Sequence, residues 1–414
     1  MKAKAVGLAA AMFAGALIMG ASVRGAPSGL AVQEPGGTPD DRLLAIDNPD
    51  EYAWRLFKFL NRPALPGVAG IADPSRQFGD TANQVSMVWE TWAMASGRNA
   101  SEVYHLDGSA PVAWDHLDRS ARKLILDTNL ERLLVLKSNK APGAQFMPDA
   151  PEDQEVRMNQ AAFEFIVTNQ MYNIDGLEAL QATAAKNGNR LLIQFKTGAK
   201  EVKAMWKIIK DDQKPRYLWR EGTAPDGSKQ IYGLVSLHIV TKDLPNWFWA
   251  DFGHVDCEEQ KNACDIPGQE AALTVPKDTT TRGPNGAGPN GHNGIRNEAA
   301  NSVWANYILR GTQTNFVAPD GRETVLSNPV IENGFQNSSC ITCHARAAVG
   351  PRLISTAGPV RGINRLSPGE PQLGSPERAL FGDSPAYNQD TEIKYLQTDF
   401  LWSPIFRTSR KTVH

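Results

Sequence analysis

Between Asp50 and Leu60 (DEYAWRLFKFL) apolar residues recur at helical spacing behind an acidic cap, and Pro63 and Pro66 close the element. Asp80 to Met94 (DTANQVSMVWETWAM) repeats the pattern and Leu117 to Leu136 is mixed. Asp153 to Asn173 reads as one strong amphipathic helix. The texture changes near Asn189. Arg190–Phe195, Glu201–Lys210, Arg216–Arg220 and Gln230–Thr241 are short, β-branched or aromatic, and divided by turn signals such as Pro225-Asp226-Gly227. In the second of these, Val202, Ala204, Trp206 and Ile208 fall on one face, with Glu201, Lys203, Met205 and Lys207 on the other. Thr279 to Gly294 (TTTRGPNGAGPNGHNG) predicts a long loop. Asn301–Leu309 resumes a structured element. The pattern predicts an α+β protein with a mainly helical region over 50–188 and a β-rich region over 189–414, without internal repeats.

The ends of the chain change the picture of its compartment. Residues 1–25 carry two lysines, an apolar run from Ala5 to Gly20 and a small-residue exit, the build of a secretory signal peptide. An uncleaved anchor over Ala5–Val23 is the alternative. With cleavage, no stable membrane insertion is expected, and the localisation is periplasmic or secreted. Residues 26–49, rich in Gly, Pro and Asp, read as a flexible leader.

Composition narrows the function classes. The 414 residues suffice for two or three domains, or for one large domain with insertions. Forty-three basic against 45 acidic residues give a net charge of −2, so no basic field draws nucleic acid. The signal takes Lys2, Lys4 and Arg24 and no acid, which leaves the mature chain more acidic still. Only four cysteines are present, too few for a disulfide scaffold.

Two of them stand in Cys340-Ile341-Thr342-Cys343-His344, the C-x-x-C-H pattern of covalent haem attachment. Two thiols one helical turn apart can each add to a vinyl group of the same porphyrin, and the adjacent imidazole reaches the iron from the proximal face. Ser338 and Ser339 are candidate N-caps of a short helix carrying the motif. Half of a zinc site would need a second ligand pair, and a redox dithiol would need a βαβ setting that the neighbouring sequence does not show.

On these residues the chain resembles the c-type cytochromes. The resemblance implies one haem c, with Cys340 and Cys343 as thioether sites and His344 as the proximal ligand. In small electron-transfer cytochromes a methionine downstream of the motif completes the iron. Here all nine methionines lie between Met1 and Met205. The sixth ligand is then His414, an upstream side chain (Met87, Met94, Met147, Met158, Met171, Met205, His105, His116, His238, His254 or His292), or none. Strands followed by the motif and a closing Thr398-Asp399-Phe400-Leu401-Trp402 segment are also similar to the β-sheet hydroxylamine-oxidising and c-prime-beta cytochromes. Those hold a five-coordinate haem against a sheet, and the hydroxylamine-oxidising members cross-link a lysine to it; Lys203 and Lys207 are the candidates that implies.

Cys257 and Cys264, seven apart, are expected to form a disulfide in an oxidising compartment. Closing that loop contributes ~2.5 kcal/mol on the chain-entropy estimate. A metal site of His254, Cys257 and Cys264 is the alternative. The aromatic run Pro245–His254 and the Trp304/Tyr307 pair either wall a haem pocket or pack a core. Arg346 and Arg352 either meet haem propionates or face solvent, and Asn337-Ser338-Ser339 matches a glycosylation triplet. The expected function is haem binding and periplasmic electron transfer with a redox partner protein. The alternative is an open-site haem enzyme or gas binder whose partner is a small nitrogen species or peroxide. A third reading gives the N-terminal region to partner recognition.

Overall fold

In the computed structural model the described residues are 33–80, 83, 85–95, 101–119, 124, 153–188, 192–223, 227–259, 301–326, 328, 339–353, 362–366, 373–376 and 395–412. The signal segment, residues 26–32 of the leader and the 279–294 loop lie outside them.

The fold is α+β, organised on one antiparallel sheet. Its strands are β1 (Ala93–Met94), β2 (Asp153–Met158), β3 (Lys200–Ile208), β4 (Trp219–Thr223), β5 (Lys229–Thr241), β6 (Phe248–His254) and β7 (Tyr307–Gln313). The order is β1-β2-β3-β5-β6-β7, with β4 pairing β5 off that path. Every residue of β6 is buried, as both faces of a covered central strand require. The expected alternation in β3 is present: Val202, Ala204 and Trp206 enter one core and Met205 another, while Ile208 at the strand end is exposed.

Two layers cover the sheet. On the first face lie α1 (Pro39–Asp47) and α2 (Pro49–Leu60), each with Pro in its first turn and a side-chain cap, Thr38 and Asn48. The aromatic stripe of α2 meets β6, with the Phe57 ring stacked on Phe252 at 4.4 Å. Trp304 and Tyr307 belong to this core, so that pair packs and does not wall the motif. The second face is covered by α3 (Gln160–Thr168) and α4 (Ile174–Lys186), capped by Asn159 and Asn173, and by the segments around Cys340. No helix among the described residues is long and apolar enough to cross a membrane.

Four expectations are corrected. The helix expected over 153–173 begins only after Asn159, because Glu155 and Arg157 of β2 pair with each other at 2.6 Å inside the protein. In the sequence that buried pair imitates the polar face of a helix. Among the described residues of Asp80–Met94 there is no α-helix: Trp89–Thr91 is a single 3₁₀ turn leading into β1, and Met87, Val88, Trp89 and Trp92 are all buried. Residues 192–195 of the expected first strand have no regular structure, and Leu192 is 78% exposed. The leader is not free from 33 onward. Glu34 pairs with Lys200 at 2.8 Å, and Gly37 N–H donates to Asp243 at 2.6 Å. Gly36 and Gly37, at φ +101° and +91°, give the backbone that approach.

No domain boundary falls at 189. Residues 34–414 form one compact unit, and the nominally helical region supplies β1 and β2 to the sheet.

Candidate functional site

The motif forms a short helix, α6 (Cys340–Ala345), since Ser339 accepts the Thr342 amide as N-cap. The α-helical period places Cys340, Cys343 and His344 on one side. All three are half-buried, whereas Ile341, Thr342 and Ala345 on the other side are at most 1% exposed. The inert face of α6 is therefore driven into the protein and the reactive face is turned outward.

The buried face is tied from several directions. Gln313 at the end of β7 donates to Ser339 at 2.8 Å and accepts the Ile341 amide at 3.2 Å. Thr342 Oγ1 donates to the Gly374 carbonyl at 2.7 Å. Two carbonyls in the last turn of this short helix accept side chains from the chain terminus: Trp402 Nε1 donates to Cys343 at 3.1 Å and Gln397 to Ala345 at 2.8 Å. A two-stranded ladder, β8 (Ala348–Val349) with β9 (Leu396–Gln397), brings that terminus alongside, and α7 (Ser403–Arg407) follows it.

The chemistry of the outward face is specific. Cys340 and Cys343 are reduced thiols, and Cys340 Sγ donates to the Leu326 carbonyl at 3.1 Å. His344 Nδ1 lies 2.8 Å from the Phe400 carbonyl. A carbonyl can only accept, so Nδ1 carries the proton and the lone pair sits on Nε2, the tautomer of a metal-ligating imidazole oriented through its second nitrogen. The Trp249 ring packs on His344 at 4.5 Å, and Phe400 and Phe316 stack beside it at 6.3 Å. Two thiols, one lone pair and apolar aromatic walls fit a covalently held haem. Of the aromatic run, then, Trp249 faces the motif while Phe248 and Phe252 pack the opposite core.

Beside Trp249 on the same face of the sheet lies a buried charged row. Asp251, next in alternation on β6, accepts Arg310 at 2.8 Å and Asn328 at 2.9 Å, and lies 2.9 Å from His238 Nε2. Burial pushes its carboxyl up, but His238, Arg310 and Asn328 together outweigh burial and hold it below the usual range. Lys203 stands opposite His238 in the β3–β5 register, so it shares the motif-side face; Lys207 pairs with Gly233 farther along.

The other candidates have structural roles. Met87, Met94, Met158, Met171 and Met205 are buried among core side chains, and His105 Nδ1 lies 2.8 Å from Ser109 on the surface. His116 ends the 3₁₀ turn Trp114–His116. Arg352 faces solvent and reaches Glu178 of α4 at 3.6 Å. Arg346 is half-buried at the end of α6. Met147, His292, His414, Asn337 and Ser338 lie outside the described residues. Among the described residues no group of three or more His, Cys, Asp or Glu converges as metal ligands.

Cys257, in the helical turn α5 (Val255–Glu259), is disulfide-bonded, and Cys264 lies outside the described residues. That bond removes the Cys257 thiolate from the alternative metal site, and His254 is engaged on both nitrogens. Its Nε2 donates to the Arg216 carbonyl at 3.1 Å and its Nδ1 accepts the Asp256 amide at 3.2 Å. The ring stacks on Tyr217 at 3.7 Å. Burial lowers the imidazole pKa to about 4, so it is neutral near pH 7. Below pH 6.5 the unfolded chain takes a proton that the folded chain refuses. Stability is present in full above 6.5 and drains away as pH falls toward 4, by about 3 kcal/mol in all. Urea midpoints measured across that window are expected to fall, and less steeply in His254→Phe.

The chain matches no protein-family model, no curated protein and no solved structure.

Proposed function

We propose that the protein is an exported monohaem c-type cytochrome that moves single electrons between periplasmic partners. The observation that carries this reading is the two-sided build of α6: both thiols and His344 half-exposed on one side, the other side buried, and His344 fixed by Phe400 with its lone pair on Nε2. Each thiol would add its S–H across one vinyl group, sulfur to carbon and hydrogen to the neighbouring carbon, leaving no by-product. Bound there, haem c supplies a one-electron Fe(III)/Fe(II) couple. Trp249, Phe316 and Phe400 exclude water around the proximal imidazole and keep its environment fixed between the two charge states. Export agrees with the chemistry, because haem ligation and the Cys257 disulfide both belong outside the cytoplasm.

A second reading, a haem protein with an open sixth position acting on a small nitrogen species or peroxide, is favoured by one observation. Every described methionine is packed in a core, and His238 and His254 are held by Asp251 and by Arg216 with Asp256. The visible spectrum of the reduced protein with and without CO separates the two. A low-spin spectrum indifferent to CO supports the carrier, and a rapid shift supports the open site. Absence of a pyridine haemochrome after expression with a haem-ligation system overturns both.

A further inference from the structure

The carbonyl that fixes His344 is delivered by a turn that two non-glycine residues do not adopt unaided. Asp399 and Phe400 have φ of +50° and +72°, in the left-handed region. Such a backbone persists where its surroundings over-determine it. Thr398 supplies part of the constraint: its amide donates to Ala347 at 2.8 Å and its hydroxyl to Leu401 at 2.6 Å. The rest comes from the sheet. Lys242, the first residue after β5, donates from Nζ to Asp399 Oδ1 at 2.6 Å, and Asp399 Oδ2 accepts the Phe195 amide at 2.7 Å. Lys242 is itself held, its amide donating to Ala199 at 2.8 Å and its Nζ to Pro245 at 2.7 Å. Lys242 and Asp399 are 5% and 8% exposed, so water does not screen the pair.

We propose that Lys242 and Asp399 are a positioning pair: the ion pair anchors the 398–402 turn to the end of β5, holds the Phe400 carbonyl against His344 Nδ1, and thereby sets the basicity of the proximal imidazole. Neither side chain touches the motif; both act through the backbone of Phe400. A firm Nδ1–H···O bond pushes electron density toward Nε2, which favours the ferric state and lowers the reduction potential. Loosening the turn weakens that bond and raises the potential. The potential half of the inference rests on the proposed function; the tautomer half does not.

Charge and position are separable by sign. Removing the Lys242 cation acts electrostatically to lower the potential, and removing the Asp399 anion acts to raise it. If the pair acts by position, Lys242→Met, Asp399→Asn and the charge-neutral double variant all raise the potential, while Lys242→Arg stays near the parent value. The double variant strands no buried charge and so avoids the folding cost of either single change. Opposite shifts in the two single variants, or an unshifted double variant with haem attached, overturn the proposal. A second readout uses the full chain expressed without haem ligation: ¹⁵N chemical shifts of the His344 side chain. The parent is expected to show the Nδ1–H tautomer and the double variant a mixture with Nε2–H. A parent lacking the Nδ1–H signature overturns the positioning role. If the parent never acquires haem, the proposed function fails while this measurement still decides the tautomer.

Discussion

In the double variant Cys340→Ala/Cys343→Ala, haem that survives denaturing electrophoresis is expected to vanish, whereas each single variant retains a one-thioether adduct. Each thiol closes one bond to one vinyl group, so a lost thiol leaves one vinyl conjugated. The pyridine haemochrome band then moves to longer wavelength in the single variants, one step per lost sulfur. Structural effects are small by comparison. The Cys340 thiol makes a weak bond to the Leu326 carbonyl, and losing it costs the fold about 0.5–1 kcal/mol. The double variant should therefore melt nearly as the haem-free parent does, and a near-ultraviolet CD spectrum unchanged from that of the haem-free parent would separate lost chemistry from lost structure. A thiol titration adds a check. The haem-free parent presents two reactive thiols, since Cys257 is already bonded, and the haem-loaded parent presents none. Two titratable thiols in a haem-containing preparation would sink the thioether assignment.

What the sequence displayed and what it hid divide along contact range. Cys340, Cys343 and His344 are legible because three and four residues of separation already put them on one side of a helix. Phe400, which orients His344, lies 56 residues on and acts through a carbonyl, a group every residue owns. The closing segment over Thr398–Trp402 was the one outward sign that this part of the chain returns to the motif. Lys242 and Asp399 are 157 residues apart and nothing local couples them. Strands β3 and β5 are visible through alternation and β-branched content, whereas β6 shows in the sequence only as an aromatic run. β2 is disguised by the Glu155–Arg157 pair hidden inside it, and β1, at two residues, is too short for any period to register. The α+β class survives these errors because the corrections exchange helix for strand only locally. The proposed boundary at 189 does not, because β2 pairs with β3 across it over six residues.

Asp251→Ala is expected to cost about 3–5 kcal/mol, a large share of the roughly 5–15 kcal/mol that holds a typical domain folded. The carboxylate is 1% exposed and is the common acceptor of Arg310 and Asn328, with His238 at ion-pair distance. Truncation removes the buried carboxylate that Arg310 and Asn328 share, and the loss of that charged partner inside the protein sets the size of the effect. The urea midpoint should fall with little change in slope. The companion variant Asp251→Leu/Arg310→Met tests the cause, since an apolar pair of similar bulk removes both charges together and should recover most of the loss. A companion as unstable as Asp251→Ala would place the effect in packing. The row also reaches the motif: Asn328 bridges Asp251 and Ser236, and it stands two residues beyond Leu326, whose carbonyl accepts the Cys340 thiol. Loosening the row should therefore raise the rate at which Cys340 reacts with a thiol reagent in the haem-free chain. Asp251→Leu/Arg310→Met should share that rise despite its recovered stability, because it restores the burial without restoring the tether to Asn328.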